Sequence, residues 1–558
     1  MNDTKIIIIG VCMIISYIQI FIWLKRKENP LTRATLTLIL GSLLLFIIPQ
    51  SEILISTYFF CSRIYRFFKK KKTKKTRNTP QKIERSNPEH IYLESDKGTI
   101  DIANPYRGLL CVGGAGSGKS RSIFYAIIKQ FVTNQFSGIC YDLKNPELSE
   151  YAYSFHNPNG KVKFAFLNFK DTSNSVRINP LSPKYITKQA VAFEMATVLV
   201  NNLMPESIKK RDYWTSSSIS VIAGAIWYLR NNYPEYCTLP HLVAMLLSFP
   251  STQLIEKLSS DNETAGMIAS LKEAHDLNSE KQLSGVMGSV KNSFAQLNIP
   301  DLFYLLSEDQ ISLDLNNKEN PIFLAIGNDI TLTSTYAPAI SLVICACIRQ
   351  MNMPNKHYSA IILDEAPTLG YIPNFEKIPA VSRSNKIAPV LGVQDVSQMQ
   401  DAYGIEKTQV LISNLGNQLF GRTINEKTAN MVVNMFGKHD VTYNSTSTSK
   451  GSSSGGFLSD HFSSSNNSSV SESIQQRERV KVSEIINLPP GKFYGMIADG
   501  NVKELIGVQM DQIPDSKKEI EIKNQSINPD QIFRQIYNEV SLIAKKEDSP
   551  DDFKIELN

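Results

Sequence analysis

From Gly113 to Ser120 the chain reads Gly-Gly-Ala-Gly-Ser-Gly-Lys-Ser, which fills every position of the phosphate-binding pattern G-x-x-x-x-G-K-[ST]. A loop of this kind wraps successive backbone N–H groups around a polyphosphate, and side chains would block the approach. Hence Gly113, Gly114, Gly116 and Gly118, with only the small Ala115 and Ser117 between them. Lys119 is placed to reach the β- and γ-phosphates, and the Ser120 hydroxyl to join a Mg²⁺ shell. Leu109 to Val112 reads as a buried strand, and Ser122 to Ile128 as a helix whose N-terminus, Ser122 included, would hold phosphate charge. A glycine-rich turn that binds nothing would not need this strand, loop and helix context. The expected ligands are ATP and Mg²⁺.

A phosphate loop needs a second element to hold the metal and activate water. Ala360 to Leu363 is an apolar strand ending in the adjacent carboxylates Asp364 and Glu365. Asp364 is expected to hold Mg²⁺ through water, and Glu365 to orient or deprotonate the attacking water. Further on, Ile387 to Val393 is another buried-strand pattern, and Gln394 at its end is placed to sense the γ-phosphate; the plainer alternative is a strand-to-helix cap. Arg383, just ahead of that strand, is a candidate arginine finger for a neighbouring subunit's nucleotide, with Arg422 a second candidate. For both, the plain alternative is a solvated surface arginine. Leu283-Ser284-Gly285 resembles the opening of the LSGGQ signature of ABC transporters, but Val286 and Met287 break it and it lies too far ahead of Asp364.

These residues need a scaffold. Strand patterns at Gly138 to Asp142, Val162 to Asn168, Ile322 to Ile326, 360–364 and 387–393 alternate with helical stretches, which predicts an α/β fold with a largely parallel sheet. The stretch 184–300 shows helical periodicity without strand runs, so an all-α domain is expected to be inserted between the halves of the nucleotide-binding domain, 78–183 and 301–512. Serine, asparagine and glycine dominate 444–473, which reads as a mobile loop or linker for want of apolar surface. A polar tail, 513–558, carries one amphipathic helix from Pro529 to Lys545.

The N-terminal region, 1–77, reads as a transmembrane anchor. Ile6 to Leu24 carries no charge and is long enough to cross a ~30 Å hydrocarbon core as a helix, and a second apolar stretch runs from Ala34 to about Phe60. The basic cluster from Arg63 to Arg77 after it is a topology signal and a contact for anionic lipid, keeping the ATPase in the cytoplasm. The predicted location is therefore the inner membrane, multi-pass. The net charge of +6 comes largely from this cluster. The 7 cysteines show no zinc spacing and no disulfide framework.

In this order the motifs resemble the coupling proteins of conjugative and type IV secretion systems, the TraD/TraG-like family of RecA-like P-loop ATPases. The resemblance rests on the two apolar spans, Gly113 to Ser120, and Tyr141 to Leu148, which looks like the family's Asp-x-Lys-Gly-Glu-Leu stretch. It rests also on Ile178 to Leu181, Asp212-Tyr213-Trp214 opening the helical insert, Leu363-Asp364-Glu365, and Ser382-Arg383-Ser384 ahead of Val393-Gln394. Asn145-Pro146 departs from the family's usual glycine, and the tail after 512 is short. The resemblance implies a homohexamer with nucleotide at subunit interfaces and a central channel. It also implies receipt of a relaxase–DNA complex, and partners among inner-membrane type IV secretion components and the lipid bilayer. Two other readings stand beside it. One is an ATP-binding adaptor anchored in the membrane, the other a motor for protein effectors. Intact Lys119, Asp364 and Glu365 favour turnover over a pure adaptor.

Overall fold

The computed structural model describes residues 87–209, 211–452, 464–522 and 528–545. Strands appear mostly where apolar and β-branched runs meet turn residues, the serine-rich pair β10 and β11 being the exception. In chain order they are β1 (Ile91–Leu93), β2 (Ile100–Ile102), β3 (Leu109–Val112), β4 (Ser137–Asp142), β5 (Lys163–Asn168) and β6 (Ile322–Gly327). There follow β7 (Ser359–Leu363), β8 (Ile387–Val393), β9 (Asn417–Phe420), β10 (Lys438–Ser452), β11 (Ser464–Glu478), β12 (Lys492–Met496) and β13 (Glu504–Gln509). Nine of them form one sheet in the order β13-β12-β9-β3-β8-β7-β4-β6-β5. All neighbours from β9 to β5 run parallel, and β12 and β13 add an antiparallel edge. The largely parallel α/β sheet expected from the sequence is thus present.

Both faces of the sheet are covered, which is why β3, β6, β7 and β8 in its interior are near-continuous apolar runs rather than alternating. Leu109, Cys111, Cys140 and Ile362 pack on one face against Ile123, Phe124, Ile127 and Phe131 of the helix that follows the phosphate loop. Leu110, Val112, Ile139 and Leu363 point to the other face and share a core with the helices that lie between β5 and β6. Those helices include Gln189–Leu203, Tyr213–Asn232, Leu239–Ser248 and Glu280–Phe294. Their starts are set by side-chain caps: Asp212 accepts from the Thr215 N–H at 2.8 Å, and Thr238 accepts from the His241 N–H.

The chain then returns across this body. The Ile513 N–H donates to the Arg121 carbonyl (3.0 Å), and the Ile522 N–H donates to Asn174 Oδ1 (2.8 Å). The helix Pro529–Lys545 buries Ile532, Ile536, Val540 and Ile543, a stripe at helical spacing. Tyr537 stacks on Phe303 and Phe533 packs against the same ring at a tilt, and Glu539 meets His241 Nε2 at 2.9 Å, so this polar segment is docked on the helical layer.

Two expectations change. The serine-rich stretch is no linker where it is described: β10 pairs antiparallel with β11 in continuous register from Lys438↔Glu478 to Ser452↔Ser464. Composition measures what side chains can bury, whereas a backbone ladder satisfies its own N–H and C=O groups without apolar side chains. The inner-membrane location is also corrected. Among the described residues no helix is long and apolar enough to cross a membrane. The longest described helices, Tyr213–Asn232 and Thr333–Met351, mix Ser, Thr and Arg among apolar residues that are already buried in the core. The two expected spans, Ile6 to Leu24 and Ala34 to Phe60, lie outside the described residues.

Candidate nucleotide site

In a parallel sheet the ligand crevice lies at the carboxyl ends of the strands, and the predicted residues converge there on β3, β8 and β7, which are neighbours. The loop after β3 is pinned from three sides. The Gly113 N–H donates to Val393 O (3.0 Å), the Gly114 N–H to Arg422 O (2.8 Å), and the Gly491 N–H to Ser117 O (2.8 Å). Gly116 and Gly118 have φ of +71° and +93°, values that other residues adopt only with strain. At Gly118 a Cβ would also lie 2.5 Å from the Gly491 nitrogen. The helix then opens with a turn of π geometry, Ser120–Phe124, and continues as Tyr125–Thr133. Ala115 and Gly116 are exposed at the mouth and Ser120 is half-buried. Ser117 and Ser122 are buried, and neither Oγ has a hydrogen-bond partner; Ser122 lies under Gly491, a Cβ on which would come within 3.2 Å of its Oγ.

Lys119 is 6% exposed. Its ammonium donates to Gly113 O (2.6 Å) and Val393 O (3.2 Å) and pairs with Glu365 Oε1 at 3.3 Å. Asp364 is buried beside this pair without a hydrogen bond, its Oδ1 unpartnered. Burial first, and then the charge of Glu365, push its carboxyl up to about 7. Room for it comes from Gly392 on β8, where a Cβ would stand 2.6 Å from Asp364 Oδ1. Glu365 sits at φ +56°, a left-handed position, and caps the short turn Ala366–Leu369. The kink directs its carboxylate at Lys119.

The remaining predicted residues divide. Gln394 follows β8 directly, half-buried, next to the Val393 carbonyl that holds Lys119. Arg383 is exposed at the opposite, amino end of β8, ~20 Å away at ~3.3 Å per strand residue. The chain does not bring Arg383 to its own phosphate loop. Arg422 is at that loop, its Nη2 donating to Ala115 O at 3.4 Å. Sequence reasoning missed Gly392 and Gly491. The Pro489-Pro490 pair marks a turn before Gly491, but its partner Ser117 is remote in the chain and no local signal links them.

The donor set fits a nucleotide with a divalent cation. Backbone N–H groups line a left-handed glycine loop, a lysine stands at its base, and an unpartnered carboxylate faces it across one strand. Ser120 and Asp364 are the residues that would hold the metal.

Solved structures with this fold include the bacterial conjugative coupling protein TrwBdeltaN70 in an unbound form, 14% identical, with a TM-score of 0.53 over 79% of this chain and 91% of that one. TrwB in complex with a non-hydrolysable ATP analogue is 16% identical, TM-score 0.52, covering 76% of this chain and 88% of that one. TrwB with ADP and Mg²⁺ is likewise 16% identical, TM-score 0.50, with the same coverage of 76% and 88%. At such identity the likeness establishes the fold. No curated protein sequence matches the chain. The model of one family, type IV secretory system conjugative DNA transfer, matches residues 65–493, more than half of the chain, and this chain belongs to that family.

Proposed function

We propose that this chain is the coupling ATPase of a conjugative system, using ATP hydrolysis to drive DNA toward the secretion channel. The observation that carries the reading is the convergence of Lys119, Asp364 and Glu365 on three adjacent strands, with Asp364 left unpartnered. The N–H groups of the loop and the helix start face the phosphates. Polyphosphate oxygens would take over the Lys119 ammonium from Glu365, which frees that carboxylate to accept a proton from water. The water oxygen then bonds to the γ-phosphorus as the bond to the bridging β-oxygen breaks, giving ADP and phosphate. Ser120 and Asp364 would hold Mg²⁺, which would supply neutralisation of the phosphate charge. Gln394, directly after β8, senses the γ-phosphate in this reading. Arg383, remote from its own loop, acts on the nucleotide of the next subunit in a homohexamer, and the cargo is DNA with its relaxase.

The test is ATP hydrolysis by the full chain, with and without single- and double-stranded DNA, beside Lys119→Ala and Glu365→Gln. Turnover stimulated by DNA and reduced on the order of 1,000-fold in either variant is expected, with Glu365→Gln still binding nucleotide. Hydrolysis indifferent to DNA would reassign the cargo to protein. Hydrolysis retained in both variants would remove the site assignment.

A further inference from the structure

Glu365 is held in its left-handed kink by a chain of hydrogen bonds that begins two strands away. Its carbonyl accepts from the Thr368 N–H (2.9 Å) and from Thr368 Oγ1 (2.7 Å). The single Thr368 hydroxyl proton is used there, so the contact between Tyr141 OH and Thr368 Oγ1 (3.1 Å) has the phenol as donor. The phenol oxygen in turn accepts from Asn328 Nδ2 at 2.9 Å. Asn328 is fixed at both ends: its N–H donates to Asp142 O (3.0 Å), and its Oδ1 accepts from the Asp329 N–H (2.8 Å). Tyr141 is 0% exposed and Asn328 1%, so neither group has water to fall back on. Burial holds the Tyr141 phenol above its ordinary value, keeping it a neutral donor.

We propose that Tyr141, through Thr368, is a positioning residue for hydrolysis, fixing the backbone of Glu365 so that its carboxylate faces the attacking water. This rests on the ATPase reading. A non-glycine residue in the left-handed region costs roughly 1–3 kcal/mol and persists only where its surroundings over-determine it. Here the over-determination is this relay, which runs from β6 through β4 to the turn after β7. Its members polarise one another in one direction, Asn328 to Tyr141 to Thr368 to the Glu365 carbonyl.

Steady-state ATP hydrolysis by the full chain, with nucleotide affinity measured separately, tests it. Tyr141→Phe removes one hydroxyl and keeps the ring, and should lower kcat by on the order of tenfold or more while nucleotide affinity stays within about twofold. Thr368→Val should match it, Thr368→Ser should restore turnover to within about threefold, and the double variant should be no slower than either single one. Since Thr368 is only half-buried, the Val and Ser pair keeps the test open if Tyr141→Phe folds poorly. Unchanged kcat in Tyr141→Phe, or additive losses in the double variant, would overturn the relay while leaving the ATPase reading intact. A wild-type protein that hydrolyses no ATP would remove both.

Discussion

Asp142 and Asp364 stand at the ends of neighbouring strands in one sheet. Tyr141 pairs with Leu363 in parallel register, so the two carboxylates that follow are side by side. Both are buried, at 1% and 7% exposure, and burial is the largest cause pushing Asp142 up to about 6 and Asp364 up to about 7. Their surroundings differ. Asp142 Oδ2 accepts from the Leu148 N–H (2.9 Å), the Ser149 N–H (2.9 Å) and the Ser149 hydroxyl (3.0 Å), the first turn of the helix Glu147–Ser154. Asp364 accepts no hydrogen bond from any described residue, and Gly392 leaves space beside it. Oδ1 of each carboxylate is without a partner, so the contrast lies in Oδ2: that of Asp142 fastens a helix, whereas neither oxygen of Asp364 is engaged and the whole carboxylate is poised for a ligand from outside.

The sharpest way to break this contrast is to remove each charge. Asp364→Asn should lower Mg²⁺-dependent turnover by ~100-fold or more, because the carboxylate proposed to hold the cation would be gone. Asp142→Asn should leave kcat within a few-fold, since an amide oxygen can still accept from the helix N–H groups. Equal losses in the two variants, measured at saturating ATP, would show that both carboxylates serve the metal.

A smaller effect tests the space beside Asp364. In Gly392→Ala the new methyl would stand 2.6 Å from Asp364 Oδ1 and 2.7 Å from Phe124 Cζ, part of a rigid ring. Overpacking of this kind costs about 1–3 kcal/mol, which urea denaturation would read, and Mg²⁺ should be required at higher concentration for half-maximal turnover. Unchanged stability and an unchanged Mg²⁺ requirement would mean that the glycine is incidental.

The phosphate loop, the strand ending in Asp364 and Glu365, and the parallel sheet could be read from local sequence because each is a contiguous pattern. Gly113 to Ser120 carries its own mechanism in its residue types, and strands buried on both faces are continuous apolar runs. What escaped was non-local. Gly392 looks like any strand glycine until the Asp364 carboxylate is placed against it, and Gly491 meets the phosphate loop through a hydrogen bond to Ser117 and close packing on Gly118, both across the fold. Asp142 was visible as part of a motif, yet its task as a helix fastener depends on a turn through Asn145-Pro146 that spacing alone does not define. The pairing of β10 with β11 was missed for a different reason: composition registers apolar burial, and a backbone ladder orders a chain without it.

The gentlest test of the contrast is a titration. The Asp142 carboxyl is raised in the folded chain from an ordinary 3.8 to about 6, with burial the main cause. Well below pH 3.8 the folded and unfolded states both carry the proton, and the group takes nothing from stability. As pH climbs from about 4 to 6.5 the unfolded chain ionises first, so the folded state loses up to about 3 kcal/mol, and above that window the penalty is constant. An asparagine at 142 does not titrate. The unfolding free energy of Asp142→Asn minus that of wild type should therefore rise across this window by up to that amount and then level off. Taking the difference cancels the carboxylates remote from position 142, while Asp364, which the Asp142 charge helps to raise, adds to the difference in the same direction. A difference that stays flat from pH 4 to 7 would mean that the three hydrogen bonds from Leu148 and Ser149 offset the burial entirely, and that Asp142 is ionised at no cost to the fold.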